Sequence, residues 1–215
     1  MAGSQSQPEF ASRRPVYINK SAQQWVSESH PVSEDVFNFH KQLPEYKPTD
    51  LISLDDIASD LGIRKLYIKD EGNRMSLPSF KILGASWGSY MAIARANGLP
   101  INAGLDAVKL AAASNRRALF AATDGNHGRA VARMASVFSL PARIYVPVGM
   151  DGPTLDAIRE EGAEIVGTGK SYDEAILEAE KGAKENGGLL IQDCAFEGYE
   201  EYAQVSYLIL LQHTS

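Results

Sequence analysis

Apolar positions along this chain change their period in a regular way. Short apolar runs of strand length, at residues 66–69, 118–122, 143–146, 164–166 and 189–191, alternate with stretches at 53–61, 80–96, 127–138, 153–161 and 172–186 whose apolar residues recur at helical spacing. After Ala118-Leu119-Phe120-Ala121-Ala122, for example, Ala130, Val131, Met134, Ala135 and Phe138 share one helical face. Gly162 and Gly167 bracket a short strand, and Ser171 is placed to cap the helix that follows it. Such alternation predicts an α/β fold of open parallel sheets flanked by helices. Residues 1–14 are polar and predicted disordered, and residues 30–49 read as an extended arm with scattered aromatics.

Two junctions in this pattern carry chemistry. Ser79-Phe80-Lys81 places an amine at the start of a predicted helix, after a segment rich in Gly, Asn and Pro. The helix dipole and apolar neighbours both disfavour an ammonium there, which suits a lysine that attacks a carbonyl; a surface lysine on a helix is the plainer alternative. Thr123-Asp124-Gly125-Asn126-His127-Gly128 joins an apolar strand to a helix. Backbone N–H groups and the positive helix end converge at such a junction and can bind an anion, Gly125 and Gly128 permit close approach, and Asn126 offers an amide. An ordinary turn capped by Asp124 or Asn126 fits the same residues.

Composition narrows the field further. A chain of 215 residues with a net charge of −6 has no basic footprint for nucleic acid. Its one cysteine, Cys194, allows no intrachain disulfide, and no CxxC or HExxH spacing makes a case for zinc or another metal. The N-terminus lacks an apolar core of signal-peptide length, which predicts a cytoplasmic protein. Gly167-Thr168-Gly169-Lys170-Ser171 ends like a phosphate-binding loop, but Glu164 stands where that motif needs its first glycine.

With its Ser-Phe-Lys and Gly-Asn-His strings, the chain resembles the fold-type II pyridoxal 5'-phosphate (PLP) enzymes, the tryptophan synthase β-like group that includes serine and threonine dehydratases. In those dehydratases the residue before Gly-Asn-His is typically small. Here the string Ala122-Thr123-Asp124-Gly125-Asn126-His127-Gly128-Arg129 carries an acid, and with Gln192-Asp193-Cys194-Ala195-Phe196-Glu197-Gly198 downstream it is similar to one branch, the diaminopropionate ammonia-lyases. The likeness runs from about Val32 to Glu201. It implies PLP as cofactor, with Lys81 as its Schiff-base residue and the base for one substrate enantiomer. Asp124 is then the base on the opposite face and Asp193 the second acid, beside the amine that must leave. It further implies Phe80, Lys81 and Asn126 at the cofactor, with Asn126 beside the ring hydroxyl. Thr123, Asp124, Gly125 and His127 fall at the substrate. The reaction implied is elimination of ammonia from 2,3-diaminopropionate to give pyruvate and a second ammonia.

The resemblance also implies a domain plan. Residues 15–96 begin the large PLP-binding domain, 97–192 form a small α/β domain, and 193–215 start the return into the large one. Enzymes of this type continue with a Gly-rich loop around the cofactor phosphate and a Ser or Thr at the pyridine nitrogen; this sequence contains neither. The large domain is therefore expected to be incomplete and the chain truncated, weakly active or inactive, with 205–211 an apolar run too short to span a membrane. The partners expected are a small amino-acid substrate and, if the chain were complete, a second copy in a homodimer, with no nucleic acid and no membrane. A serine or threonine dehydratase and a non-catalytic fragment acting as an interaction partner are the competing readings.

Overall fold

The computed structural model describes residues 34–196 and Tyr199. The expectations for residues 1–14 and 205–211 lie outside them. From its first described residues the chain forms α1 (Glu34–His40), β1 (Leu51–Ser53), α2 (Asp55–Asp60), β2 (Tyr67–Lys69), α3 (Lys81–Ala96) and α4 (Leu105–Ser114). The alternation then begins, with β3 (Leu119–Ala122), α5 (Asn126–Val137), β4 (Ala142–Val146), α6 (Gly152–Glu160), β5 (Glu164–Gly167), α7 (Tyr172–Glu185) and β6 (Leu189–Leu190).

β3 to β6 form one parallel sheet in the order β5-β4-β3-β6. Leu119 stands opposite both Ala142 and Leu189. β3 is buried at every position, as the central strand of a parallel sheet covered on both faces must be. β4 alternates between buried and half-buried residues. The helices start where the sequence supplies caps. Asp151 accepts from the Thr154 N–H at 2.9 Å at the head of α6, and Ser171 and Glu174 form a reciprocal capping box at the head of α7.

Three layers result. On one face of the sheet, Leu119, Ala121 and Ile144 join Val131 and Met134 of α5 and Leu83, Trp87 and Tyr90 of α3 in a continuous core. On the other face Ala122 packs with Ala175, Ile176 and Ala179 of α7. α3 is almost wholly buried because it lies between α5 and α1. α1 seats Phe39 against Trp87 and Tyr90, with ring centroids 5.4 and 4.6 Å away, and the buried His40 Nε2 lies 3.0 Å from the Leu83 carbonyl. Strands β3, β4 and β5 follow one another in a single direction, and the chain then returns to lay β6 on the far edge of β3. The order therefore reverses between β3 and β6, and in open α/β sheets ligands bind at the carboxyl ends of the strands beside such a reversal.

Four local expectations are corrected. The stretch read as an extended arm contains α1, whose Val36 and Phe39 face the core. The helix expected from residue 53 begins at Asp55, because Ser53 is part of β1. The strand expected at 66–69 is β2, which pairs antiparallel with β1 in a separate ribbon instead of joining the parallel sheet. α4 was not expected at all: only its Leu105, Val108 and Ala112 are buried, and its run of alanines gives a weak apolar contrast. Among the described residues, no helix is long and apolar enough to cross a membrane.

Candidate active site

The turn after β3 is built around one hydroxyl. Thr123 is fully buried, and its Oγ1 accepts hydrogen bonds from the Gly125 and Gly128 N–H groups, each at 2.9 Å. Gly125 adopts φ +152°, which side-chain-bearing residues avoid. At Gly128 a Cβ atom would fall onto Thr123 Cγ2 and within 2.7 Å of Ile144 Cγ2, so a glycine is required for α5 to approach the strand end. Two of the N–H groups expected to point outward are thus taken up by Thr123. Those of Asn126 and His127 remain at the open end of α5.

The chain leaving β6 meets this turn from the side. The Ile191 N–H donates to the Phe120 carbonyl at 2.8 Å, and His127 Nε2 lies 2.9 Å from the Ile191 carbonyl. Gln192 is 98 % buried, and its side-chain amide replaces the next strand pair: Oε1 accepts from the Ala122 N–H at 3.0 Å, and Nε2 donates to the Ala122 carbonyl at 3.1 Å. The Gln192 N–H donates to the Tyr199 hydroxyl, which donates in turn to the Leu190 carbonyl. These bonds fix the backbone on both sides of Ile191 and bring Asp193 over the first residue of α3.

That residue is Lys81, whose ammonium donates a short hydrogen bond to Asp193 Oδ2. His127 Nδ1 lies 3.7 Å from the same oxygen. The Lys81 side chain is 38 % exposed, against 15 % for Asp193 and 5 % for His127. The apolar surroundings expected for Lys81 are replaced by an ion pair open to solvent on one side. Burial alone would push the Asp193 carboxyl up; the charge of His127 when protonated, and the hydrogen bond and charge of Lys81, hold it below the ordinary carboxylate range. Burial pushes the His127 imidazole down, against the pull of Asp193. Burial also pushes the Tyr172 hydroxyl well up, reinforced by Asp193, Cys194 and Asp124. The Cys194 thiol is raised by burial as well.

The fold thus brings Lys81, His127 and Asp193 together at the strand-order reversal. Asp124 and Asn126 are exposed on the adjoining turn. Phe80 sits immediately before α3, with the Lys81 ammonium 5.9 Å from its ring centroid. Sequence reasoning missed Gln192 and Tyr172, whose side chains hydrogen-bond to each other at 3.2 Å. The available signal for Gln192 was a polar residue directly after an apolar strand and directly before an acid. An amine open to solvent beside an orphaned buried imidazole nitrogen fits a carbonyl cofactor bound through Lys81.

The fold is that of a known class: residues 43–213 match the family described as pyridoxal-phosphate dependent enzyme, and the chain belongs to it. Within that family it is similar to the diaminopropionate ammonia-lyase of Escherichia coli strain K12, at 37% identity over 162 residues, which cover 75% of this chain and 40% of that protein. It is also 36% identical over 198 residues to the diaminopropionate ammonia-lyase of Salmonella typhimurium strain LT2, covering 90% of this chain and 48% of that one. The crystal structure of the E. coli enzyme in apo form superposes with a TM-score of 0.77 at 31% identity, over 84% of this chain and 49% of that one. The same enzyme has been solved with an aminoacrylate-PLP azomethine reaction intermediate, and that structure superposes at 0.74 with 31% identity over 84% of this chain and 46% of that one. The chain spans less than half the length of these relatives.

Proposed function

We propose that the chain carries the lysine side of a site that converts 2,3-diaminopropionate and water to pyruvate and two molecules of ammonia. The observation that carries this reading is the Lys81–Asp193 ion pair, with a second carboxylate, Asp124, on the neighbouring turn. Lys81 would hold pyridoxal phosphate covalently, flanked by Phe80 and Asn126; when bound, the cofactor supplies an electron sink for the carbon that loses its proton. Lys81 removes the α-proton from one face and Asp124 from the other, so each enantiomer has its own base. Asp193 holds the β-amino group as an ammonium and so makes ammonia the leaving group. Thr123 keeps the turn in shape from beneath, and Gly125 and His127 border the substrate.

The same reading makes residues 15–96 the start of a larger cofactor domain, 97–192 a smaller domain that holds the parallel sheet, and 193–215 the start of a return to the first. It further makes the protein a cytoplasmic enzyme of amino-acid catabolism, a homodimer at the length of its relatives. The test is pyruvate and ammonia release from each enantiomer of diaminopropionate in the presence of pyridoxal phosphate, beside L-serine and L-threonine. Release from diaminopropionate that falls in Asp124→Asn and Asp193→Asn supports the reading. A preference for L-threonine that both variants leave unchanged overturns it in favour of a dehydratase.

A further inference from the structure

His127 contributes two ring nitrogens with different surroundings. Nε2 lies 2.9 Å from the Ile191 carbonyl, which can only accept, so the proton of the neutral ring sits on Nε2. Nδ1 is left as a bare acceptor, buried and without a hydrogen-bond partner, 3.7 Å from Asp193 Oδ2. A lone pair held against a carboxylate is repelled, and a buried acceptor without a donor is unfavourable on its own. One proton between the two groups would remove both penalties.

The source of that proton is in contact with the same oxygen. Before its amine can attack a carbonyl, Lys81 must lose the proton it donates to Asp193 Oδ2. We propose that Lys81, Asp193 and His127 form a proton path in which His127 is a positioning residue: the proton leaves Lys81 Nζ for Asp193 Oδ2 and is held there by a hydrogen bond to His127 Nδ1. The N–H bond at Nζ breaks and an O–H bond forms at Oδ2. The starting ammonium, carboxylate and neutral ring become a neutral amine, a carboxylic acid and a neutral ring, so net charge is unchanged. The 3.7 Å gap closes to hydrogen-bond distance when the proton arrives.

The hydrogen bond and charge of Lys81 favour the carboxylate over the acid at Asp193, which is why a second acceptor matters here. Burial keeps the ring neutral and able to accept. The charged groups acting on the imidazole are Asp193, Lys81 and Asp124, and Tyr172 in turn is raised by the charges of Asp193 and Asp124. The inference rests on the reading of Lys81 as the residue that bonds the cofactor.

Two measurements test it on the full chain. Nitrogen NMR of histidine-labelled protein should find Nε2 protonated and Nδ1 bare in the wild type. In Asp193→Asn, whose side-chain N–H imitates the protonated acid, Nδ1 should shift as a hydrogen-bonded acceptor does. A protonated Nδ1 with a bare Nε2 in the wild type would overturn the proposal without any variant having to fold. The second measurement is the rate at which pyridoxal phosphate is trapped on Lys81 by borohydride, mapped by peptide mass across pH. His127→Gln keeps a donor for the Ile191 carbonyl but lacks the δ acceptor. It should trap about 2- to 13-fold more slowly near neutral pH, the range a hydrogen bond between uncharged groups is worth, and approach the wild type in alkali. His127→Asn keeps the δ acceptor and should lose less. Equal rates and pH profiles in wild type and His127→Gln, with the label on Lys81, would defeat the proton path alone. Label on Lys69 or Lys109 would instead defeat the assignment of Lys81, and this inference with it.

Discussion

Replacing Gly128 with alanine adds one carbon atom at the most crowded point of the turn. The added Cβ falls onto Thr123 Cγ2, lies 2.7 Å from Ile144 Cγ2 and 2.9 Å from Thr123 Cβ. Thr123 is fully buried and Ile144 sits on the central strand pair, so neither can swing into solvent. Overpacking of this kind costs about 1–3 kcal/mol. Displacing Thr123 also stretches its two hydrogen bonds to Gly125 and Gly128, at about 0.5–1.5 kcal/mol each. Alanine returns roughly 1 kcal/mol of helix propensity. The net is a loss of about 1–5 kcal/mol, or about 2–20 °C in melting temperature for a domain of this size. The assay is thermal and urea unfolding of wild type, Gly128→Ala, Thr123→Ser and the double variant. Thr123→Ser removes Cγ2 and keeps the hydroxyl, so the double variant should recover part of the loss as a coupling of about 0.5–3 kcal/mol. A Gly128→Ala protein that melts with the wild type, or no coupling at all, would refute the account of how α5 approaches β3.

Three further outcomes follow from the site and its supports. In a chain extended to the length of its relatives, Asp124→Asn should lower turnover of one diaminopropionate enantiomer by about 100- to 10,000-fold more than the other while leaving the absorbance of bound cofactor intact; equal, mild losses for both would leave Asp124 without a catalytic role. Glu161 accepts from Arg129 at 3.1 Å and from Arg133; burial pushes its carboxyl up, but the two arginines outweigh burial and hold it below its ordinary value of 4.5. Its contribution to stability is therefore complete above that value and disappears as pH falls through the lowered one, so melting temperature against pH should show a shallower acid limb in Glu161→Gln, and parallel limbs would count against the pair. Burial raises the Cys194 thiol, so iodoacetamide should alkylate it near neutral pH more slowly than free cysteine. A rate equal to the free thiol's would show that burial does not restrain it.

What could be read before the structure depended on locality. The β3–α5 junction and the helix beginning at Lys81 were legible because apolar period and turn residues agree over short windows. α1 was not, although Val36 and Phe39 stand at helical spacing, because its helix is only seven residues long and is held by Trp87, Tyr90 and Leu83 far along the chain. β1 is three residues long and exposed throughout, so no alternation marks it, and β2 was legible as an apolar run while its antiparallel pairing with β1 was not. At the site, the residue types at 81, 124 and 193 suggested chemistry, but the meeting of Lys81 with Asp193 depends on the return of the chain through β6 and could be anticipated only through resemblance. The amide of Gln192 serving in place of a strand pair left no periodic trace at all.

The partners in the Lys81–Asp193 ion pair are 112 positions apart in the chain. On a ribosome adding roughly 5–20 residues per second, about 6–22 s separate the synthesis of the lysine from that of its counter-ion. Through that interval the amine has no Asp193 to receive its proton, while α3 and the β3–α5 turn can already form from local sequence. Assembly of the Lys81–Asp193–His127 cluster is therefore timed by translation: it waits for β6, and a nascent chain stalled before it carries a lysine with neither its acid nor the carbonyl group that holds His127 in place.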